Sequence, residues 1–179
     1  MAGEVNIRSL RMLTQAQIQG LSDVLIDSVE GGASVSFMSP MSRAKAEAFW
    51  RGAADSAARG ERVILAAMDG AGAIVGTVQI VFAGPENQPH RADVAKMLVH
   101  RSARKCGLGA ALLRAAEQRA FECGKTLLVL DTVTGGDAER LYTRQGWQRC
   151  GVIPNYALWP DGRFCDTTVF FKFVSGMVV

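Results

Sequence analysis

Arg104, Lys105, Cys106, Gly107, Leu108 and Gly109 stand where an extended apolar run gives way to a helix-forming one, and their types suit a phosphate-bearing ligand. Glycine lets a backbone come close to a ligand, and the unpaired N–H groups at a helix N-terminus point toward anions, so this junction can bind a pyrophosphate. Two common nucleotide motifs are excluded. No Gly-Lys-Ser/Thr follows, as a P-loop requires, and Leu112 takes the place of the third glycine of a dinucleotide fingerprint. What remains is R-x-x-G-x-G. The charge is concentrated here too: from Arg91 to Arg119, seven bases stand against Asp93 and Glu117, a local balance of +5 in a chain whose net charge is +3. So confined a cationic stretch suits a compact polyanion better than an extended polymer. On charge alone, a solvated helix face is the competing reading.

The elements that must position this junction are legible from periodicity and punctuation. Val5 to Met12 alternates as a strand, and Thr14 with Gln17 forms a capping box opening a helix that ends near Gly31 and Gly32. Ser39 as N-cap and Pro40 at the first helical position open a second helix running to about Gly60. Arg62 to Met68 and Ile74 to Phe82 flank a turn with Asp69, Gly70 and Gly72, a hairpin signal. After a polar loop come a strand, Ala92 to His100, a helix, Gly107 to Glu122, and a buried strand, Thr126 to Asp131. A short helix spans Asp137 to Gln145 and stops at Gly146. Strands Trp147 to Ile153 and Thr167 to Phe173 then flank a turn-rich loop, Pro154 to Asp166. No repeat or linker interrupts the chain, so residues 1–179 are expected to form one α/β or α+β domain.

At the glycine junction the chain resembles the GNAT superfamily of acetyl-CoA-dependent N-acetyltransferases, whose signature Q/R-x-x-G-x-G/A lies between the fourth strand and the third helix. Arg104, Gly107 and Gly109 match it. Downstream, Ala138, Leu141, Tyr142, Gly146 and Trp147 are similar to the A-x-x-L-Y-x-x-x-G-F/W pattern that family members place after the fifth strand. The stretch Gly31 to Met38 also looks like the tabtoxin-resistance type of small-amine acetyltransferase. The resemblance implies a mixed, mostly antiparallel sheet of six to seven strands, with helices on both faces and a splay between strands four and five. It further implies that Met97, Leu98 and Val99 contact pantetheine and the acetyl carbonyl, with a main-chain N–H as oxyanion donor. Arg104, Lys105, Cys106, Gly107, Leu108, Gly109 and Ala110 would hold the diphosphate. The family often has a base at the position of Cys106 and an asparagine at that of Gly135.

An amine that attacks a thioester must first lose its proton, and an amine of pKa about 10.4 is neutral at pH 7 in only about one molecule in a few thousand. Asp93 and Asp131 are the carboxylates best placed to take that proton, at positions where relatives of the tabtoxin-resistance type carry acids. In the competing reading, Asp93 pairs with Arg91 or Lys96 and Asp131 caps a turn. Tyr142 is the candidate acid toward the departing thiolate. A phenol of pKa about 10 is weaker than a thiol near 8.5, so a strengthening hydrogen bond suits it better than full proton transfer. Otherwise Tyr142 is a helix aromatic packed on the sheet. Phe37, Met38, Trp50, Tyr156 and Trp159 are candidates for an acceptor pocket, with loops Gly31 to Met38 and Asn155 to Arg163 foremost; they are otherwise core.

Hydrophobic residues make up 49% of the chain and charged residues 21%, a globular balance that excludes a disordered or fibrous protein. No apolar run approaches the roughly 18 residues of a membrane span, and Glu4, Arg8 and Arg11 interrupt any secretory signal, so a cytoplasmic protein is expected. Cys106, Cys123, Cys150 and Cys165 lie 17, 27 and 15 positions apart, a spacing with no metal site or disulfide framework, and such cysteines read as small buried hydrophobes. His90 and His100 are expected at exposed ends with nothing to orient them as bases. The sequence thus predicts transfer of acetyl from acetyl-CoA to the primary amine of a small molecule, by direct attack in a ternary complex. No metal, nucleic acid or membrane is involved. A protein N-terminus or lysine as acceptor, or a noncatalytic CoA-binding module, are the alternatives. Monomer and homodimer are both open, the apolar tail from Phe171 to Val179 being an interface strand or an edge.

Overall fold

The computed structural model describes residues 5–175. Its strands are β1 (Asn6–Leu10), β2 (Arg62–Met68), β3 (Ile74–Phe82), β4 (Arg91–Val99), β5 (Leu127–Val133), β6 (Gln148–Leu158) and β7 (Phe164–Phe173). Its helices are α1 (Gln15–Glu30), α2 (Arg43–Ala58), α3 (Leu108–Glu122) and α4 (Asp137–Arg144). One seven-stranded sheet runs in the order β1-β2-β3-β4-β5-β7-β6, and only β4 and β5 pair in parallel. Side chains alternate between the two faces of each strand, so β2 sends Val63 and Leu65 to α3 and Ile64 and Ala66 to α1 and α2. The mixed sheet with helices on both faces, as expected, is the fold of the protein.

α1 begins as its sequence dictates: the Thr14 hydroxyl accepts from the Gln17 backbone, and the Gln17 side chain accepts from that of Thr14. α2 begins three residues later than Ser39 suggested. Ser42 is the N-cap, accepting from the Lys45 N–H at 3.2 Å, while Ser39 and Met41 are tied to the Glu30 carboxylate. The expected loop from Pro154 to Asp166 is mostly strand. β6 and β7 form a long hairpin, closed by Trp159 N–H donating to the Arg163 carbonyl, and a register shift between Ile153 and Ala157 places Asn155 at φ 52°. β6 is an edge strand exposed on most positions, so no apolar alternation announces it. Of the apolar tail from Phe171 to Val179, read as an interface strand or an edge, Phe171 to Phe173 belong to β7, which lies between β5 and β6; residues 176–179 fall outside the described part.

Two further expectations are corrected. Only Cys165 is buried; Cys106 and Cys150 are exposed, and all four thiols are free. His100 is oriented after all: Nδ1 meets the Ser102 hydroxyl at 2.7 Å and Nε2 lies 3.4 Å from Asp27. Asp27, on α1, also accepts from the backbone and Nε of Arg101, fastening the 3-10 turn Arg101–Ala103 to that helix. Burial pushes the Asp27 carboxyl up, but the Arg101 side-chain and backbone donors and the charge on His100 outweigh it and hold the group below its ordinary value. A depressed carboxyl contributes stability above its unfolded pKa, and that stability is lost as pH falls through the folded pKa. Asp27→Asn is therefore expected to cost about 1.5–3 kcal/mol at neutral pH and less in acid, measured by urea unfolding across pH.

Candidate active site

β4 and β5 share only three register pairs, Arg91 with Leu127, Ala92 with Leu128 and Asp93 with Val129, before they part. Beyond them, two residues of β4, Lys96 and Met97, stand against the single residue Val78 of β3 in a bulge, with Lys96 at φ 49°. The strand ends thus diverge into a groove of about 1100 Å³. Met97, Leu98 and Val99 line it from β4, Asp131 from β5, and Tyr142 from α4. Arg104, Lys105, Gly107, Leu108, Gly109 and Ala110 line it from the glycine junction.

The junction is shaped for an anion. Gly107 is the N-cap of α3 at φ +83°, and no side chain caps the helix. The first helical bond runs from Ala111 N–H to the Gly107 carbonyl, which leaves the N–H groups of Leu108, Gly109 and Ala110 without a helical partner. Gly109 serves a different end: a Cβ there would meet Leu141 at 3.1 Å, so its bareness lets α3 approach α4. Arg104 is held against β4 by Nε donating to the Val99 carbonyl at 3.0 Å. Cys106 turns away from the groove, its thiol donating to the Ala103 carbonyl. α4 adds Arg140 and Arg144 to the groove wall, two bases outside the cationic stretch read from the sequence. Their spacing of four on an amphipathic helix was the available signal. Gly135, where relatives often carry asparagine, sits at φ +79° in the turn before α4; its N–H donates to Glu139, and its carbonyl accepts from Arg140.

Tyr142 is clamped between Trp147 and Phe170, ring centroids 5.9 and 6.0 Å away. Its side chain is almost fully buried, yet its hydroxyl has no hydrogen-bond partner among the described residues and opens to the groove. Burial, and then the charge of Asp131, push the phenol far above its ordinary pKa. Burial likewise pushes the Asp131 carboxyl up; Lys96 pulls it back and Asp93 adds to the rise. Asp131 has an open face to the groove but makes no salt bridge among the described residues. Asp93 is placed differently. It pairs with Arg91 at 2.7 Å and lies off the groove.

Loop residues Ser36, Phe37 and Met38 line the groove as well, with Tyr156 and Trp159 of the hairpin. Ser34 donates to the Leu158 carbonyl and Ser39 N–H to that of Pro160, tying loop to hairpin. Trp50 is not part of this wall but is buried in the core beside Phe49. Among the described residues, no helix is long and apolar enough to cross a membrane, and no three His, Cys, Asp or Glu side chains gather as metal ligands.

Comparison with known proteins agrees with this architecture. Residues 32–147 match the model of the acetyltransferase (GNAT) family. The fold is shared with an N-acetyltransferase from Staphylococcus aureus Mu50, 16% identical, covering 97% of this chain and 100% of that one at a TM-score of 0.80. It is shared with a phosphinothricin acetyltransferase from Sinorhizobium meliloti solved in complex with acetyl-CoA, 20% identical, covering 98% and 91% at 0.78. A ribosomal-protein-alanine N-acetyltransferase from Brucella melitensis, 23% identical, covers 94% and 99% at 0.78. The splayed β4–β5 pair, the bare N-terminus of α3 and the family match lead to one conclusion: the chain belongs to the acetyltransferase (GNAT) family and is an N-acetyltransferase that draws its acetyl group from acetyl-CoA.

Proposed function

We propose that the protein acetylates the primary amine of a small molecule by direct attack within the groove. The observation that carries this reading is the make-up of one cavity. The cationic junction with its free N–H groups lines it together with the loop, the hairpin and Asp131. Acetyl-CoA supplies the activated acetyl thioester. The N–H groups of Leu108, Gly109 and Ala110 hold its diphosphate, with charge from Arg104 and Lys105. Met97, Leu98 and Val99, freed from β5, offer main-chain groups to the pantetheine arm and a donor to the carbonyl oxygen. Asp131 takes the proton of the acceptor ammonium, and its raised pKa brings it closer to that task. Asp93 contributes through its charge, which keeps the Asp131 proton affinity up. Tyr142 donates a hydrogen bond toward the departing sulfur, since burial makes its proton harder to release. Cys106 takes part through its backbone only.

The two glycines separate two requirements. Gly107 occupies the left-handed region, where any side chain is strained, so Gly107→Ala is expected to weaken acetyl-CoA binding about tenfold or more. Gly109 needs only a few tenths of an ångström from Leu141, so Gly109→Ala is expected to stay within a few-fold of the parent. Isothermal titration with CoA reads both. The reading as a whole is tested by thiol release from acetyl-CoA over a panel of small primary amines. Turnover of a small amine supports it. Silence across the panel, with acetylated proteins appearing in a cell extract, replaces the small acceptor with a polypeptide. CoA binding without any turnover contradicts the direct-transfer mechanism.

A further inference from the structure

We propose that the acceptor carries an anionic group as well as its amine, and that Lys96 with Ser36 forms the subsite that receives the anion. This inference rests on the groove being the site of a small acceptor. The bulge that separates β4 from the regular register places Lys96 in the left-handed region, an unusual conformation for a lysine. Lys96 lines the groove together with Asp131, its ammonium 3.0 Å from the Ser36 hydroxyl and 5.8 and 5.6 Å from the ring centroids of Phe37 and Phe49. The two rings meet edge to face at 5.3 Å, making a wall over which the ammonium itself lies.

This ammonium makes no salt bridge among the described residues, although it is half-buried. Burial pulls it below its ordinary pKa, the charge of Asp131 holds it up, and Arg62 pushes it down. An ammonium removed from water without a counterion is costly, and an anion arriving in the groove relieves that cost. Asp131 stands in the complementary position, a carboxylate without a salt bridge on the opposite strand of the same splay. Two opposite charges that line one cavity without a direct salt bridge between them form a template for a zwitterion. Asp131 receives the ammonium; Lys96 and the Ser36 hydroxyl, both able to donate, receive the acid. Phe37 and Met38 add apolar surface to the same groove. Lys96 thereby determines specificity, while the proton leaves through Asp131.

The experiment compares matched primary amines that differ only in bearing a carboxylate, the corresponding carboxamide or a hydrogen at that place, using thiol release. The parent enzyme is expected to prefer the carboxylate in kcat/KM. Lys96→Met, which keeps the stem and removes the charge, is expected to lower the carboxylate-to-carboxamide ratio of kcat/KM by about 10- to 100-fold, mainly through KM, with Lys96→Arg restoring part of it. Equal use of carboxylate and carboxamide by the parent overturns the inference. So does a Lys96→Met variant that slows all three amines alike through kcat, because Lys96 would then act only on Asp131. If only neutral amines are acetylated, the small-acceptor reading survives and this one fails; if no amine of any class is acetylated, both fail.

Discussion

Replacing Tyr142 by phenylalanine is expected to lower kcat by about 10²- to 10³-fold while leaving the affinity for CoA within a few-fold. The size follows from the loss of one aimed donor toward charge that develops in the transition state. The clean separation follows from packing: Trp147 and Phe170 hold the ring at 5.9 and 6.0 Å, and phenylalanine fills the same space. The hydroxyl gives up no hydrogen bond within the described residues when it is removed, so the fold loses little. Burial has already made the phenol a poorer acid than in water, which assigns it hydrogen-bond donation to sulfur in place of full proton transfer. Steady-state kinetics and a CoA titration on the same preparation check the split. An unchanged kcat would return Tyr142 to the role of a core aromatic.

The second large effect is expected at Asp131. Asp131→Asn should reduce kcat/KM by about 10²- to 10⁴-fold near neutral pH, the range for loss of a positioned base. The sign of the pH dependence is fixed by the group's role. Asp131 must be ionised to accept the ammonium proton, so kcat/KM falls as pH drops through its pKa. Burial and Asp93 raise that pKa against the pull of Lys96, so the acid limb of the parent is displaced upward from the ordinary aspartate value. The asparagine variant should lose the limb. Asp93→Asn removes a like charge and should move the limb to lower pH while leaving Asp131 in place. Lys96, which pulls the carboxyl the other way, should move it upward when neutralised. A pH–rate profile of Asp131→Asn that overlays the parent, at parental rate, would remove the carboxylate from the reaction.

Much of this arrangement can be read from residues alone, because its signals are local. Thr14 and Gln17 close a capping box within four residues, and β2 and β3 carry apolar runs around a glycine turn. The order of β4, glycine junction, α3 and β5 follows from periodicity that changes at Gly107. The remaining features depend on what lies across space. The bulge at Lys96 has no glycine or proline to mark it, since the pairing of β3 imposes it. The hairpin of β6 and β7 escapes because an edge strand needs no buried stripe. Ser42 outcompetes Ser39 as a cap because Glu30, a residue of the preceding helix, takes the backbone of Met41. Asp93 and Asp131 have the same side-chain chemistry in sequence. They part in the structure because Arg91 lies two residues from Asp93 on the same strand, while β5 leaves Asp131 facing the open groove. Arg140 and Arg144 reach that groove from α4, far from the cationic stretch that drew attention first.

The most direct measurement is the crystal structure of the protein with acetyl-CoA. The donor is expected to lie between the parted ends of β4 and β5, its diphosphate oxygens within hydrogen-bond distance of the amides of Leu108, Gly109 and Ala110 and its sulfur beside the Tyr142 hydroxyl. Density for the donor on another face of the sheet, or with its sulfur turned away from Tyr142, would contradict the assignment.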